Sequence, residues 1–221
     1  MVESDFGQSG AQSSGKVFTV QEAIVVETEA GNAEASRLTA ALQSLLVEKG
    51  LLFPNEVEQE IEKLDAPGVH LGARLVARAW VDERFKERLL ADGKSAAAEF
   101  GMKIGEAQLI VVENTVREHN LIVCTLCSCY PRSLLGQPPT WYISKSYRAR
   151  AVREPRDVLS EFGLDVPSDV RVRVHDSNAD MRYLVLPLRP LGSEDLDEEA
   201  LSRLVTRDSL IGAGLALAPP T

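Results

Sequence analysis

All three cysteines of this 221-residue chain fall within one six-residue stretch, Cys124-Thr125-Leu126-Cys127-Ser128-Cys129. Thiols this close on one loop can converge on a single ion. The thiolate is the metal-binding form of cysteine, and soft sulfur ligands favour transition metals over magnesium or calcium. An odd number of cysteines cannot all pair within one chain, so a disulfide framework is not expected. The fold must therefore present one short sulfur-rich loop and hold it still. Leu121-Ile122-Val123, immediately before it, reads as a buried strand that delivers the chain into Cys124.

The rest of the chain is read as what builds and serves that loop. A net charge of −9 argues against a nucleic-acid or anionic-membrane partner, because both require a basic face. No apolar run approaches the roughly 20 residues of a membrane span, and Met1-Val2-Glu3-Ser4-Asp5 lacks the basic start and apolar stretch of a secretory signal. A cytoplasmic protein is the expectation. The Gly/Ser/Gln-rich start has too few apolar residues to offset its ordering entropy, so residues 1–35 are expected to be a flexible tail, with Val17 to Val26 able to form a short arm.

Residues 36–101 read as a helical arm. Ser36 can cap a first helix whose stripe is Leu38, Leu42, Leu45 and Leu46, ended by Gly50. Pro54-Asn55 opens a second, with Val57, Ile61 and Leu64 on one side, and a third is expected from Leu71 to Asp92, stopped by Gly93. From residue 102 to 221 the pattern becomes that of an α+β domain. Leu109 to Val112 and Leu121 to Val123 are short buried strands, and Val170, Val172 and Val174 alternate with arginines as a half-buried one. Asp176-Ser177-Asn178 turns the chain, and Tyr183 to Leu188 is expected to return as a hairpin partner. Tyr147 to Arg153, Pro155 to Phe162 and Asp197 to Val205 read as helices.

Spacing alone leaves the cysteine loop open to several readings. Structural zinc wants four ligands, and the fourth would have to be His70, His119 or His175, none at a finger spacing. A redox dithiol normally opens a helix, whereas this loop follows a strand and runs into Tyr130-Pro131. A third reading is another transition metal. If the amides of Ser128 and Cys129 lose their protons, three sulfurs and two nitrogens form a square-pyramidal claw with one open position, which suits a low-spin trivalent ion.

The stretch Val123-Cys-Thr-Leu-Cys-Ser-Cys-Tyr-Pro131 resembles the metal-binding motif of the nitrile hydratase α subunit, in the version associated with cobalt rather than iron, which usually has Ser at position 125 and Thr at 130. The resemblance continues through Leu135-Gly136, Pro139-Thr-Trp-Tyr142, Tyr147-Arg-Ala-Arg150, Val152-Arg-Glu-Pro-Arg156, Arg182-Tyr183 and Leu186-Pro187 to Val205-Thr-Arg-Asp-Ser-Leu-Ile-Gly212. The helical stretch Ala73 to Asp82 fits as well. The fold it implies is α+β, an N-terminal helical arm followed by a layered α/β/β/α domain that carries the cysteine loop.

The resemblance further implies a Co(III) ion, one per chain, held by Cys124 as axial thiolate, by Cys127 and Cys129 oxidised to sulfinate and sulfenate, and by the amide nitrogens of Ser128 and Cys129. Cys127 and Cys129 would be the catalytic residues, with the sulfenate oxygen of Cys129 the nucleophile or base in hydrating a small-molecule nitrile to its amide. Three sulfur groups and two amidates against a trivalent ion leave about two negative charges, which need cationic partners. In the family those arginines come from a β-type subunit, and a cobalt-insertion chaperone is a further expected partner. Two features depart from the common pattern: Arg132 stands where tryptophan is usual, and Gln137 where an apolar residue is usual. Both are similar to thiocyanate hydrolase, whose γ subunit holds the same claw, and three-subunit nitrile hydratases such as the toyocamycin enzyme share that branch. Arg132 is either an inter-subunit ion-pair residue or a cation at the pocket mouth. The reading from another class is a non-catalytic zinc-binding module.

Overall fold

A computed structural model describes residues 33–65 and 67–220. The possible arm at Val17 to Val26 lies outside these residues, as does most of the expected tail. The chain enters on α1 (Ala33–Glu48) and α2 (Glu56–Asp65). Ser36 therefore sits inside α1 and does not cap it, and residues 33–35 belong to the helix. Gly50, at φ 69°, turns the chain out of α1 as expected, with the Leu51 N–H donating to Leu46 O at 2.9 Å. Among the described residues nothing covers the leucine stripe: Leu38 is 65% exposed and Leu42 56%.

The expected third helix is two, α3 (Val69–Val81) and α4 (Glu83–Ala91), followed by α5 (Gly93–Ala98). Asp82 and Asp92 make the breaks. Each adopts extended backbone, and each carboxylate accepts the N–H three residues on, from Phe85 and Ser95, both at 3.0 Å. Gly93 is thus the first residue of a helix, and Asp92 rather than glycine stops the one before it. These helices are not an arm. Leu75, Val76, Phe85, Leu89, Ala96 and Ala97 are buried in one continuous core with the strands of the following domain.

Four strands follow in the α+β domain: β1 (Gln108–Glu113), β2 (Glu118–Val123), β3 (Arg171–Asp176) and β4 (Met181–Leu186). They form two two-stranded sheets, β1 with β4 and β2 with β3, and both pairings are parallel. The expected hairpin between β3 and β4 is therefore absent. The turn itself exists, with the Asn178 N–H donating to Met181 O at 3.0 Å and Asn178 Oδ1 taking the N–H groups of Asp180 and Met181. Its two strands simply leave it for different partners.

Parallel pairing of β2 with β3 requires a crossover. It is made by α6 (Arg132–Leu135), α7 (Thr140–Ile143), α8 (Lys145–Arg153) and α9 (Pro155–Glu161), and the cysteine loop is its first segment. The chain closes with α10 (Glu198–Ser202), packed on α3, and α11 (Arg207–Ile211), capped by a reciprocal Thr206–Ser209 box. No helix among the described residues is long and apolar enough to cross a membrane.

Candidate metal centre

The register of the β2–β3 pair decides where the loop starts. Val123, the last residue of β2, lies opposite Asp176, the last of β3, and the Ser177 N–H adds one more rung to Val123 O at 2.7 Å. Every residue from His119 to Val123 is buried, so the strand end is anchored on both faces. The chain then turns over the end of β3. Asp176 takes the Thr125 N–H on Oδ1 at 2.9 Å and the Thr125 hydroxyl on Oδ2 at 2.6 Å.

Beneath the loop lies an aromatic floor supplied by the crossover. The Tyr130 and Tyr142 rings meet edge to face at 5.2 Å, and Trp141 packs on Tyr147 at 4.9 Å and on Phe162 at 4.6 Å. Two hydroxyls of this floor are aimed at the backbone that carries the cysteines. Tyr142 OH donates to Cys129 O at 2.8 Å, and Tyr147 OH donates to Ile122 O at 2.6 Å. Burial pushes both phenols well above their ordinary range, so they stay protonated donors. The Pro139-Thr-Trp-Tyr142 segment is therefore a strut of the loop, while Tyr147 steadies the strand that leads into it.

With both ends and the underside fixed, the three sulfurs converge: all Sγ atoms lie within 4.8 Å of one another. Cys127 Sγ is 3.5 Å from Cys124 Sγ and 3.2 Å from Cys129 Sγ, and the Cys127 N–H points at Cys124 Sγ at 3.3 Å. Cys124 and Cys129 are buried and Cys127 is exposed. Hydrogen bonds from the Cys129 and Cys124 thiols, helped by the amides of Ser128 and Cys129, hold the Cys127 thiol down at about 7. Burial, with the thiolate character of its neighbours, pushes Cys129 up to about 12, partly offset by the nearby Arg182 guanidinium. Thiols this close titrate as a coupled group rather than independently. Among the described residues no histidine or carboxylate joins the cluster, so the fourth protein ligand of a structural zinc site is not supplied.

The histidines considered as ligands lie elsewhere. His119 Nε2 meets Gly212 O at 2.7 Å and its Nδ1 meets Asn114 Nδ2 at 3.3 Å, while His175 Nε2 meets Asn120 Oδ1 at 2.8 Å. Asn120 in turn bonds Asn114 Oδ1, so both imidazoles belong to one largely buried polar network behind β2. His70 is exposed on α3.

On its open side the cluster borders a cavity of about 240 Å³ lined by Cys127, Ser128, Cys129, Tyr130, Arg132, Arg182 and Glu106. Arg132 is among the residues that line this cavity. Arg182 and Glu106 were not identified as site residues. Arg182 arrives from β4 and Glu106 from the segment before β1, and neither carries a local signal that would place it beside Cys129.

The nitrile hydratase alpha-chain family model matches residues 33–214. The low-molecular-weight cobalt-containing nitrile hydratase subunit alpha of Rhodococcus rhodochrous is 49% identical over 191 residues, covering 85% of this chain and 92% of that one. The thiocyanate hydrolase subunit gamma of Thiobacillus thioparus is 41% identical over 190 residues, covering 80% and 78%. A double mutant of the Fe-type nitrile hydratase from Comamonas testosteroni Ni1 superposes with a TM-score of 0.78 at 43% identity, covering 86% of this chain and 93% of that one. A cysteine loop of this geometry in a chain so matched along nearly all of its described length leaves one assignment: the protein belongs to the nitrile hydratase α-chain family.

Proposed function

We propose that this chain is the metal-bearing subunit of a cytoplasmic nitrile hydratase, active once joined to a β-type partner. The observation that carries the reading is the convergence of three thiols within 4.8 Å on a loop pinned at Asp176 and Tyr142, in a chain of this family. The donor set fits a thiophilic transition metal: three soft sulfurs converge within 4.8 Å, with the Ser128 and Cys129 amides in the same short loop. Cys124, Cys127, Ser128 and Cys129 would hold the ion. Cobalt is favoured over iron by Thr125 and Tyr130 in the motif and by the cobalt named in the Rhodococcus rhodochrous relative.

Bound there as Co(III), the metal supplies Lewis acidity. The chain's own residues do the rest. Cys129, as sulfenate, offers an oxygen that attacks the nitrile carbon or takes a proton from water, and Cys127, as sulfinate, presents further acceptor oxygens. Over the whole reaction the nitrile carbon gains oxygen, the nitrogen gains two protons, and one water is consumed. Arg132 and Arg182 place positive charge beside these sulfur oxygens, and arginines of the β-type partner add to it. A dedicated chaperone inserts the cobalt.

A second reading, the γ-type subunit of thiocyanate hydrolase, is favoured by one observation: Arg132 lines the pocket, where a cation would attract an anionic substrate. Co-production with the partner subunit, elemental analysis and two product assays decide between them. Cobalt with amide formed from a nitrile supports the first reading, and cobalt with carbonyl sulfide formed from thiocyanate supports the second. Zinc bound by unmodified Cys127 and Cys129, without turnover of either, would leave a non-catalytic zinc module.

A further inference from the structure

The cysteine loop leaves the core after Val123 and rejoins it at Tyr130, and one residue outside the loop reaches toward both ends. Ser177 directly follows β3 and is 1% exposed. At the entry, its N–H donates to Val123 O at 2.7 Å, next to Cys124. At the exit stands Tyr142, whose phenol donates to Cys129 O at 2.8 Å. Burial drives that phenol upward, and the Ser177 hydroxyl opposes the rise, as a donor beside the phenol oxygen does. Yet Ser177 Oγ is shielded from solvent and makes no hydrogen bond of regular geometry. A hydroxyl buried in this way is costly unless paired. The Tyr142 oxygen gives its proton to Cys129 O and keeps lone pairs free to accept. One vacant donor and one available acceptor thus sit together beneath the loop.

We propose that Ser177 is a positioning residue of the metal centre, one that clamps the two ends of the cysteine loop at a fixed separation. Its N–H holds the strand end that carries Cys124. Its hydroxyl donates to the Tyr142 phenol oxygen, and this bond orients and polarises the phenol that holds Cys129. Residues that orient ligands from behind alter metal affinity or turnover by about 10–100-fold. Ser177 acts through Tyr142 rather than on the ion or the substrate. Its role in turnover rests on the nitrile hydratase reading above; the clamp itself does not.

The test is a double-mutant cycle that joins Ser177→Ala to Tyr142→Phe in the complex assembled with its β-type partner and cobalt. Ser177→Ala alone should reduce the cobalt bound per chain and shift the sulfur-to-cobalt absorption band. It should also lower kcat per bound cobalt about tenfold, with KM changed less than about twofold. Added to Tyr142→Phe, it should alter none of these further, because the acceptor is already gone. Added to Tyr147→Phe, whose phenol serves Ile122 O instead, it should produce its full effect. Urea midpoints run the same cycle without reference to metal: the shifts of Ser177→Ala and Tyr142→Phe should combine to less than their sum. Additive shifts, or a Ser177→Ala complex with wild-type cobalt content and absorption band, would overturn the proposal. If Ser177→Ala yields no soluble complex, a crystal structure of the wild-type complex decides. Ser177 Oγ within about 3 Å of the Tyr142 oxygen supports the clamp, and a hydrogen bond to any other group overturns it. A complex that holds cobalt and shows the coupling but hydrates no nitrile would sink the nitrile hydratase reading and leave the clamp standing.

Discussion

Asp176 accepts both the backbone N–H and the hydroxyl of Thr125, at 2.9 and 2.6 Å, and so ties the first turn of the cysteine loop to the strand paired with the one it leaves. Hydrogen bonds to a charged acceptor are worth about 1.5–3 kcal/mol each when shielded, and less at this exposed position. Asp176→Ala should cost about 2 kcal/mol by urea unfolding of the isolated subunit. It should also lower the metal bound per chain in the assembled complex. Undiminished metal content would mean that the loop holds its own shape.

Tyr142 and Tyr147 make a matched pair of tests. Tyr142→Phe removes the donor to Cys129 O inside the cluster, and Tyr147→Phe removes the donor to Ile122 O one residue before β2 ends. Each leaves a buried carbonyl unpaired at a cost of about 1–3 kcal/mol. Both variants should therefore unfold at lower urea. Metal content and turnover should fall in Tyr142→Phe and hold in Tyr147→Phe, which separates support of the loop from support of the fold.

Gly212 ends α11 at φ 85°, and a Cβ there would lie 1.8 Å from Asn120 O. Its own carbonyl takes His119 Nε2. Gly212→Ala combines left-handed backbone strain with a backbone clash, so a loss of at least about 3 kcal/mol, or no soluble protein, is expected. Stability within about 1 kcal/mol of the wild type would show that α11 shifts freely on β2.

The network behind β2 predicts acid sensitivity. Gly212 O can only accept, so His119 Nε2 carries the proton and Nδ1 accepts from Asn114; a second proton would face a donor. Burial lowers the pKa of His119 below its ordinary 6.5, and burial also lowers that of His175, where nearby Arg173 adds to the effect and Glu118 opposes it. A histidine depressed in the folded state binds its proton more readily when unfolded. Its contribution is complete above about 6.5 and is lost as pH falls from there toward the folded value. Urea midpoints should therefore drop between pH 7.5 and 5.5, and His119→Gln, which cannot titrate, should shallow the decline.

Local features of the chain were legible in the sequence. Leu109 to Val112 and Leu121 to Val123 are short apolar runs whose strand character needs no distant partner. Gly50 closes α1 by its own backbone freedom. What was misread depended on side chains acting across a break or on partners far along the chain. Apolar spacing runs from Leu71 through Leu89 without interruption, and only the caps at Asp82 and Asp92 reveal that the helix is broken. The Asp176-to-Asn178 turn looked like a hairpin because turn chemistry is local, whereas pairing is decided by which strand offers the better buried face.

The sequence by itself determined the chemistry: three thiols at C-x-x-C-x-C spacing on one strand-borne loop, too few and too close for anything but a shared ion or a local redox role. Sulfur spacing is a property of six consecutive residues, so it survives any error about the fold. Only the tertiary structure decided what surrounds them. Thr125 meets Asp176 because β2 and β3 pair parallel in one register, and Cys129 shares a cavity with Arg182 and Glu106 because a crossover folds β4 back beside β1. Such meetings join residues tens of positions apart, and they are selected by core packing and strand register, which no local pattern encodes.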